Sequence, residues 1–280
     1  MLISHEAPLD IMESVREFTD YDYCLVHLLE ESEKYVDYFL NSKKNNRKII
    51  MDCSLYELGS AFDIKKYIKW IDKIQPTQYI VPDVWQDYAK NISNYKNFTS
   101  KYKNLPGSKM GVLQGNSMQE LIESYKFMSQ EADVVCISFG YDYYWNLFNK
   151  HIPIEYAEDQ DKETTKRLKP LSFCNGRLFL INLLMSMNLI EVDKPHHLLG
   201  CGSPNEFLNY RYCNFIQSAD TSHPVLLGLE NKSYNDKNIN FYKPTFKIND
   251  IFFKETTKKQ LCDILTNIKM FKKYYRNYDH

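Results

Sequence analysis

The sequence predicts an α/β fold, specifically a single (β/α)₈ barrel of the TIM type. Short apolar runs rich in Ile, Val and Leu alternate with segments of helical period, and this alternation recurs along most of the chain. The runs are apolar throughout, as expected of parallel strands that are covered on both faces. The chain has 280 residues, close to the roughly 250 of an ordinary barrel. A doubly wound open sheet is the competing architecture, and the repeated alternation favours the barrel.

Eight apolar runs are predicted to form the strands. Each is short and continuous, which is typical of barrel strands. They are residues 1–5, 23–29, 48–53, 78–83, 110–114, 134–139, 196–200 and 214–219.

Helices are predicted between these strands. Ser117 with Glu120, and Ser203 with Glu206, have the spacing of a capping box, so helices should begin directly after the fifth and seventh strands. Pro204 stands at the first helical position of the second box. Apolar periodicity predicts further helices at 31–42, 63–74 and 175–190.

One domain is predicted to span residues 1–280, with two departures from the alternation. Residues 142–174 are charged and rich in aromatic side chains, and they form a long loop insertion after the sixth strand. A loop in that position lies over the active face of a barrel. Residues 231–280 form a C-terminal extension with a basic helix, which either grips a nucleic-acid backbone or is the solvated face of a last helix.

Composition excludes several classes of protein. Lys and Arg total 35 against 36 for Asp and Glu, so there is no global basic field and any contact with a polyanion is local. Seven cysteines are scattered singly, which favours reduced thiols in a cytoplasmic protein over a disulfide framework. The start of the chain lacks the pattern of a signal peptide. No apolar run approaches the length of about 18 residues that indicates a membrane span, so no membrane partner is expected.

Four polar residues lie at or directly after the carboxyl ends of predicted strands. Asp52, Asp83, Gln114 and Asp220 end the third, fourth, fifth and eighth runs. In a parallel barrel the carboxyl ends of the strands meet at one mouth, so these side chains are expected to face a common site. Taken singly, each has a structural interpretation, because Asp at a strand end often caps the next helix and Gln-Gly or Asp-Thr can form a turn.

In their order along the chain, these strand-end segments resemble the motifs of the tRNA-guanine transglycosylases. Lys194 to Pro204 is the closest match, to the family's Lys-Pro-Arg-Tyr-Leu-Met-Gly-Val-Gly-Thr-Pro. Gly111 to Gly115 is similar to Gly-Ile-Val-Gln-Gly. The other matches are Met51 to Ser54 with Gly59 for Asp-Ser-Gly-Gly, Pro82-Asp83 for Asp-Glu-Cys, Ile137 to Gly140 for Ile-Gly-Gly-Leu, and Ser218 to Ser222 for the nucleophile strand.

The resemblance implies an enzyme, a pentosyltransferase that exchanges guanine in a nucleic acid for a 7-deazaguanine such as preQ0. It implies that Asp220 is the nucleophile and that Asp52 is the general acid and base. Asp83 would accept hydrogen bonds from guanine, and the Gln114 amide would donate to it. The remaining substrate-binding candidates are Ser138, Phe139, Gly140, Leu199, Gly200 and Gly202, with Tyr141 as a further stacking surface.

The departures from the family pattern decide the predicted substrate. The family's zinc site needs a Cys-x-Cys-x-x-Cys cluster with a downstream His, and this sequence lacks the cluster, so neither a metal nor another cofactor is expected. Leu55 and Tyr56 replace the two glycines of Asp-Ser-Gly-Gly. A short chain of this kind resembles the phage-encoded DNA transglycosylases of the DpdA type. DNA is therefore the preferred partner, tRNA is the alternative, and a homodimer is possible because the family commonly dimerises.

Three other functions remain open. The chain could be a tRNA-guanine transglycosylase of reduced size. It could be a catalytically silent subunit that binds nucleic acid or an active enzyme, although the presence of Asp220 argues against this. It could also be a nucleoside hydrolase or glycosylase, in which water replaces the incoming base.

Three histidines raise the question of a metal site. His196 and His197 are adjacent on a predicted strand, so their side chains should point to opposite faces and cannot easily share one ion. Structural or solvent-facing roles are favoured for both. His223 is close enough to Asp220 in sequence for a supporting or phosphate contact.

Overall fold

The computed structural model describes residues 1–149, 162–202, 204–234 and 244–276, and these form a nearly closed parallel barrel. The order of neighbours in the sheet is β1-β8-β7-β6-β5-β4-β3-β2, and every pairing is parallel. The predicted fold class is confirmed, and every predicted strand overlaps an observed one. The strands are β1 Leu2–His5, β2 Asp22–Leu25, β3 Ile49–Asp52, β4 Gln78–Ile80, β5 Ser108–Val112, β6 Val134–Ser138, β7 His196–Leu199 and β8 Ile216–Thr221.

Strands β1 and β2 are the two terminal strands of the sheet, and hydrogen bonds between β1 and the segment that leads into β2 help to close the barrel. The Ile3 amide donates to the Asp20 Oδ2 atom at 2.9 Å, and the Ser4 hydroxyl donates to the Tyr21 carbonyl at 2.8 Å. The His5 amide donates to the Thr19 hydroxyl at 2.9 Å. These bonds satisfy strand-edge groups that would otherwise be buried without a partner.

Helices cover the outside of the barrel, and local sequence signals explain where several begin. Asp63 accepts from the Lys66 amide at 2.9 Å, and Ser117 accepts from the Glu120 amide at 3.2 Å, so both act as N-caps. Ser203 lies outside the described residues. The helices are α1 Met12–Arg16, α2 Leu28–Glu31, α3 Glu33–Lys44, α4 Leu55–Leu58, α5 Ile64–Ile74, α6 Tyr88–Lys101, α7 Met118–Glu131, α8 Asp142–Asn149, α9 Lys162–Ser186, α10 Pro204–Phe207, α11 His223–Leu229, α12 Ile248–Ile251 and α13 Lys258–Arg276.

The connection after β6 is long, as predicted, but its described parts are helical. Helix α8 occupies 142–149, and α9 begins at Lys162, well before the predicted start at 175. Residues 150–161 lie outside the described residues. Tyr144 of α8 is fully buried against Gly176 of α9, since a Cβ on that glycine would lie 2.3 Å from the ring. The described part of this connection is therefore two closely packed helices rather than a loop.

The C-terminal extension packs onto the barrel through its last helix. Ile264, Ile268 and Phe271 of α13 are fully buried, while basic residues such as Lys259 and Lys273 lie on the exposed side. Lys272 pairs with Asp20 at 3.1 Å. Residues 235–243 and 277–280 of the extension lie outside the described residues. The basic helix is thus amphipathic, with an apolar face that completes the core.

Replacement of Gly228 by alanine tests this packing. An added Cβ would lie 2.5 Å from the backbone nitrogen of Ile264, where little can move aside. We expect Gly228→Ala to destabilise the protein by about 1 to 3 kcal/mol despite the better helix propensity of alanine. Urea unfolding measures the change, and Lys259→Ala on the exposed face of α13 is the control with little effect. A Gly228→Ala variant as stable as wild type would contradict the close approach of α11 and α13.

Among the described residues, no helix combines the length and the apolar character that crossing a bilayer requires.

Candidate active site

The predicted strand-end residues come together at the carboxyl mouth of the barrel. Asp52 is the last residue of β3, and Asp220 is the penultimate residue of β8. Asp83 lies just beyond β4, and Gln114 lies just beyond β5. The negative charges of Asp83 and Asp220 both raise the pKa of Asp52, which indicates that the three carboxyl groups are near one another. The parallel register of the sheet therefore produces the convergence that the sequence predicts.

Three neighbouring groups hold the Asp220 carboxylate, whose residue is 4% exposed. His197 Nε2 donates to Oδ1 at 3.0 Å, and the Gly200 amide lies 3.1 Å from both oxygens. The Glu6 carboxyl group lies close enough to the Asp220 carboxyl group for a side-chain hydrogen bond. His197 is itself oriented by Ser218, whose Oγ lies 2.8 Å from Nδ1. These contacts fix the orientation of the Asp220 carboxylate.

The Asp52 carboxyl group can exist in both protonation states near neutral pH. Burial raises its pKa to about 7, and the charges of Asp83 and Asp220 add to the rise. The Tyr23 hydroxyl donates to Oδ2 at 2.5 Å and the Ser54 amide donates to Oδ1 at 2.5 Å, and both bonds oppose the rise. A group with such a pKa can donate a proton in one step and accept one in the next.

Tyr23 connects the two acidic centres of the mouth. Its hydroxyl binds Asp52, and its ring stacks on His197 at 6.2 Å between centroids and 13° between planes. Because His197 binds Asp220, this stacked aromatic pair links the two carboxyl groups. No sequence pattern singled out Tyr23, since an aromatic residue in an apolar strand is ordinarily a core residue.

Asp83 and Gln114 form a direct contact, as expected of two residues that share a site. Gln114 Nε2 donates to Asp83 Oδ2 at 2.6 Å, and Gln114 Oε1 accepts from the Gln86 amide at 2.8 Å. The Cys53 thiol donates to Asp83 Oδ1 at 3.3 Å. Burial raises the pKa of Asp83. Asp83 also lines an open cavity of about 700 Å³, together with Trp85, whereas Gln114, Asp52 and Asp220 are not among the lining residues of that cavity.

The other substrate-binding candidates lie at the ends of β6 and β7. The Phe139 amide donates to the Leu199 carbonyl at 2.8 Å, which joins the two strand ends, and Ser138 hydrogen-bonds to Tyr141. Gly200 adopts a φ of +66°, which favours glycine, and this turn directs its amide to Asp220. Gly140 and Gly202 were predicted to contact the substrate. Their immediate neighbours are instead the rings of Phe173 and Phe139, respectively.

A buried ion pair supports this part of the mouth. Arg177 is fully buried, and its Nε donates to Glu206 Oε1 at 2.7 Å. The same guanidinium donates to the carbonyls of Ile137 at 3.2 Å, Leu199 at 3.1 Å and Gly200 at 2.9 Å. Arg177 therefore fixes the turn whose amide holds Asp220. The sequence held no signal for this pair, because the two residues are far apart in the chain and neither belongs to a strand end.

Two further acidic residues at the mouth were missed by the sequence analysis. Glu6 follows β1 directly, and Glu57 lies in α4 after β3. Burial raises the pKa of Glu57 to about 8, with a contribution from the charges of Asp52 and Asp220. Glu6 could have been found by the rule that identified Asp52, because it is the first acidic residue after a predicted strand.

The histidines have the separate environments that the strand geometry predicts. His196 faces α7, where Nε2 lies 3.0 Å from the Tyr125 hydroxyl, while His197 points into the barrel. His223 Nδ1 lies 2.7 Å from the Tyr234 hydroxyl. Within the described ranges, no group of three His, Cys, Asp or Glu side chains is arranged to hold a metal ion.

No protein-family model matches this chain, and no curated protein matches it significantly. The family resemblance therefore depends on the strand-end motifs alone.

Proposed function

We propose that this protein is a transglycosylase that replaces guanine in DNA with a 7-deazaguanine through a covalent Asp220-glycosyl intermediate. The observation that carries the proposal is the pairing, in one barrel mouth, of a firmly held carboxylate at Asp220 with a carboxyl group of pKa about 7 at Asp52. Two carboxyl groups with distinct environments can divide the roles of nucleophile and acid-base catalyst. The choice of DNA over tRNA follows from the resemblance to the phage enzymes.

The proposed reaction has two displacements at C1′. In the first, an Asp220 oxygen attacks C1′, the C1′–N9 bond breaks with its electron pair going to guanine, and the protonated Asp52 carboxyl gives guanine a proton. In the second, the Asp52 carboxylate takes the N9 proton of the incoming base, whose nitrogen attacks C1′ and displaces the Asp220 oxygen. Both carboxyl groups return to their starting states, so the cycle needs no other reactant.

Asp83 and Gln114 would recognise the base. Guanine presents the donors N1–H and an exocyclic amine beside the acceptor O6, and the contacting carboxylate and amide offer complementary groups. Since the target must leave the base stack, the substrate is single-stranded or flipped DNA. Trp85 is 39% exposed beside the cavity, and it offers a surface on which a neighbouring base could stack.

Base incorporation tests the proposal. The protein is incubated with a labelled 7-deazaguanine and either duplex DNA, single-stranded DNA or tRNA, and both label in the polymer and released guanine are measured. We expect incorporation into DNA with one guanine released for each label. Exclusive incorporation into tRNA would indicate the tRNA enzyme, and guanine release without label would indicate a glycosylase. No turnover on any polymer, with binding intact, would indicate a silent binding subunit.

Replacement of Asp83 by asparagine tests the recognition role. The asparagine amide places a donor where guanine also has donors, which leaves a buried polar group without a partner. We expect Asp83→Asn to weaken guanine binding, measured by calorimetry, about ten- to hundredfold. Asp87→Asn is the matched control, because asparagine caps a helix as well as aspartate does. Unchanged guanine affinity in Asp83→Asn would rule out this role.

A further inference from the structure

Glu6 lies beside the proposed nucleophile and has no role in the mechanism above. Strand β1 pairs with β8 in a register that places Ser4 opposite Asp220 and His5 opposite Thr221. Glu6 directly follows this pairing, and its carboxyl group lies close enough to the Asp220 carboxyl group for a side-chain hydrogen bond. Two carboxyl groups this close repel each other when both are ionised, and they form a hydrogen bond when one of them carries a proton. A single shared proton removes the repulsion, and the surrounding groups decide which residue carries it.

The surroundings assign the proton to Glu6. Burial raises the pKa of Glu6 well above its ordinary value, and the charges of Asp220, Glu57 and Asp52 raise it further. Asp220 already accepts hydrogen bonds from two donors, which suits the ionised form. The other titratable and charged groups near the pair are Tyr21 just before β2, Tyr23 in β2 and His197 in β7. Arg16 and Asp22 line a small cavity together with Glu6.

We propose that Glu6 is a positioning residue that, as a neutral carboxylic acid, donates a hydrogen bond to the Asp220 carboxylate and keeps the pair at a single negative charge. This inference rests on the proposed function. The bond restrains the attacking carboxylate without consuming its charge, and Glu6 keeps its proton throughout both displacements. Loss of that proton would remove the donor and place a second negative charge beside Asp220, so the attacking group would be displaced by repulsion.

The kinetic test compares three variants. Glu6→Gln keeps a neutral donor that cannot ionise, so it should retain most of the wild-type kcat/KM for base incorporation. Glu6→Ala removes the donor and should lose about ten- to hundredfold. Glu57→Ala is the matched control, because Glu57 is also acidic and near the mouth but acts on Asp220 through charge alone. It should lose much less than Glu6→Ala.

The pH profile separates this role from a merely structural one. Above the raised pKa of Glu6, the ratio of Glu6→Gln activity to wild-type activity should increase about tenfold per pH unit, since only wild type can ionise there. Asp52 titrates in both proteins, so its effect on activity cancels in this ratio. A ratio that does not change with pH, or a Glu6→Gln variant as impaired as Glu6→Ala, would overturn the proposal.

A second measurement is independent of catalysis. In protein labelled with ¹³C at the glutamate carboxyl, the resonance absent from Glu6→Gln is that of Glu6, and its titration gives the Glu6 pKa. We expect this pKa to be raised in wild type and to fall in Asp220→Asn, where the neighbouring charge is gone. An ordinary Glu6 pKa in wild type, or a Glu6 pKa that does not change in Asp220→Asn, would overturn the proposed sharing of a proton between Glu6 and Asp220. If the pair titrates as expected but wild type incorporates no base, the transglycosylase proposal fails while the shared proton stands.

Discussion

Asp220→Asn should abolish base incorporation, with a loss on the order of 10⁴-fold or more, because it removes the atom that forms the bond to C1′. Asparagine has the same shape, and its carbonyl oxygen can still accept from the Gly200 amide. The fold should therefore survive, and thermal unfolding should show a protein that remains cooperative. The measurement is the initial rate of label incorporation at substrate saturation, which reports on the chemical step rather than on binding.

The control for Asp220→Asn is Asp133→Asn. Asp133 is exposed at the amino end of β6, where its carboxylate accepts from the Lys109 amide at 2.7 Å. It should leave the rate nearly unchanged. Binding of DNA should be similar in both variants, since a carboxylate contributes nothing favourable to polyanion affinity. An Asp220→Asn protein that incorporates base within tenfold of wild type would show that another group attacks the sugar.

Arg177→Met should be the most destabilising substitution in the mouth, costing about 3 to 5 kcal/mol of unfolding free energy. It leaves Glu206, which is 2% exposed, as a buried charge without its guanidinium partner. It also removes the donor to the Gly200 carbonyl, so the turn that holds Asp220 loses its support. Urea unfolding measures the stability, and base incorporation measures the effect on the turn.

The double variant Arg177→Met, Glu206→Leu separates these two effects. Without a buried unpaired charge, much of the lost stability should return, because apolar replacement of a whole buried ion pair is often nearly neutral. Activity should not return, since the Gly200 turn still lacks its donor. Lys66→Ala, which breaks the exposed pair with Glu30, is the control with little change in stability. Equal stability of Arg177→Met and wild type would contradict the role of the pair.

Much of the barrel could be predicted from the sequence because its signals are local. Each strand is an apolar run that must be covered on both faces, and helix starts such as Asp63 and Ser117 carry their own capping side chains. The convergence of Asp52, Asp83 and Asp220 followed from the parallel topology alone. The region after β6 was predicted less well, because aromatic and charged residues such as Tyr144 gave no clear apolar period, although α8 is buried against α9.

The residues that hold the site side chains in place could not be predicted, because they act through contacts between residues distant in sequence. Arg177 binds carbonyl groups of two strands, and a backbone carbonyl leaves no mark in the sequence. His197 was assigned a structural or solvent-facing role, because adjacent histidines on a strand point to opposite faces; it is buried, and its partner is Asp220. Glu6 alone among the missed residues had a usable signal, its position directly after β1.

Mass analysis of the trapped covalent complex tests the central claim most directly. The protein is incubated with a guanine-containing oligodeoxynucleotide in the absence of any incoming base, quenched in acid and digested. The account predicts an adduct with the mass of the oligonucleotide less one guanine, carried by the peptide that contains Asp220 and absent from Asp220→Asn. Exchange of guanine at full rate with the adduct on Asp52, or with no adduct at any carboxylate, would contradict it.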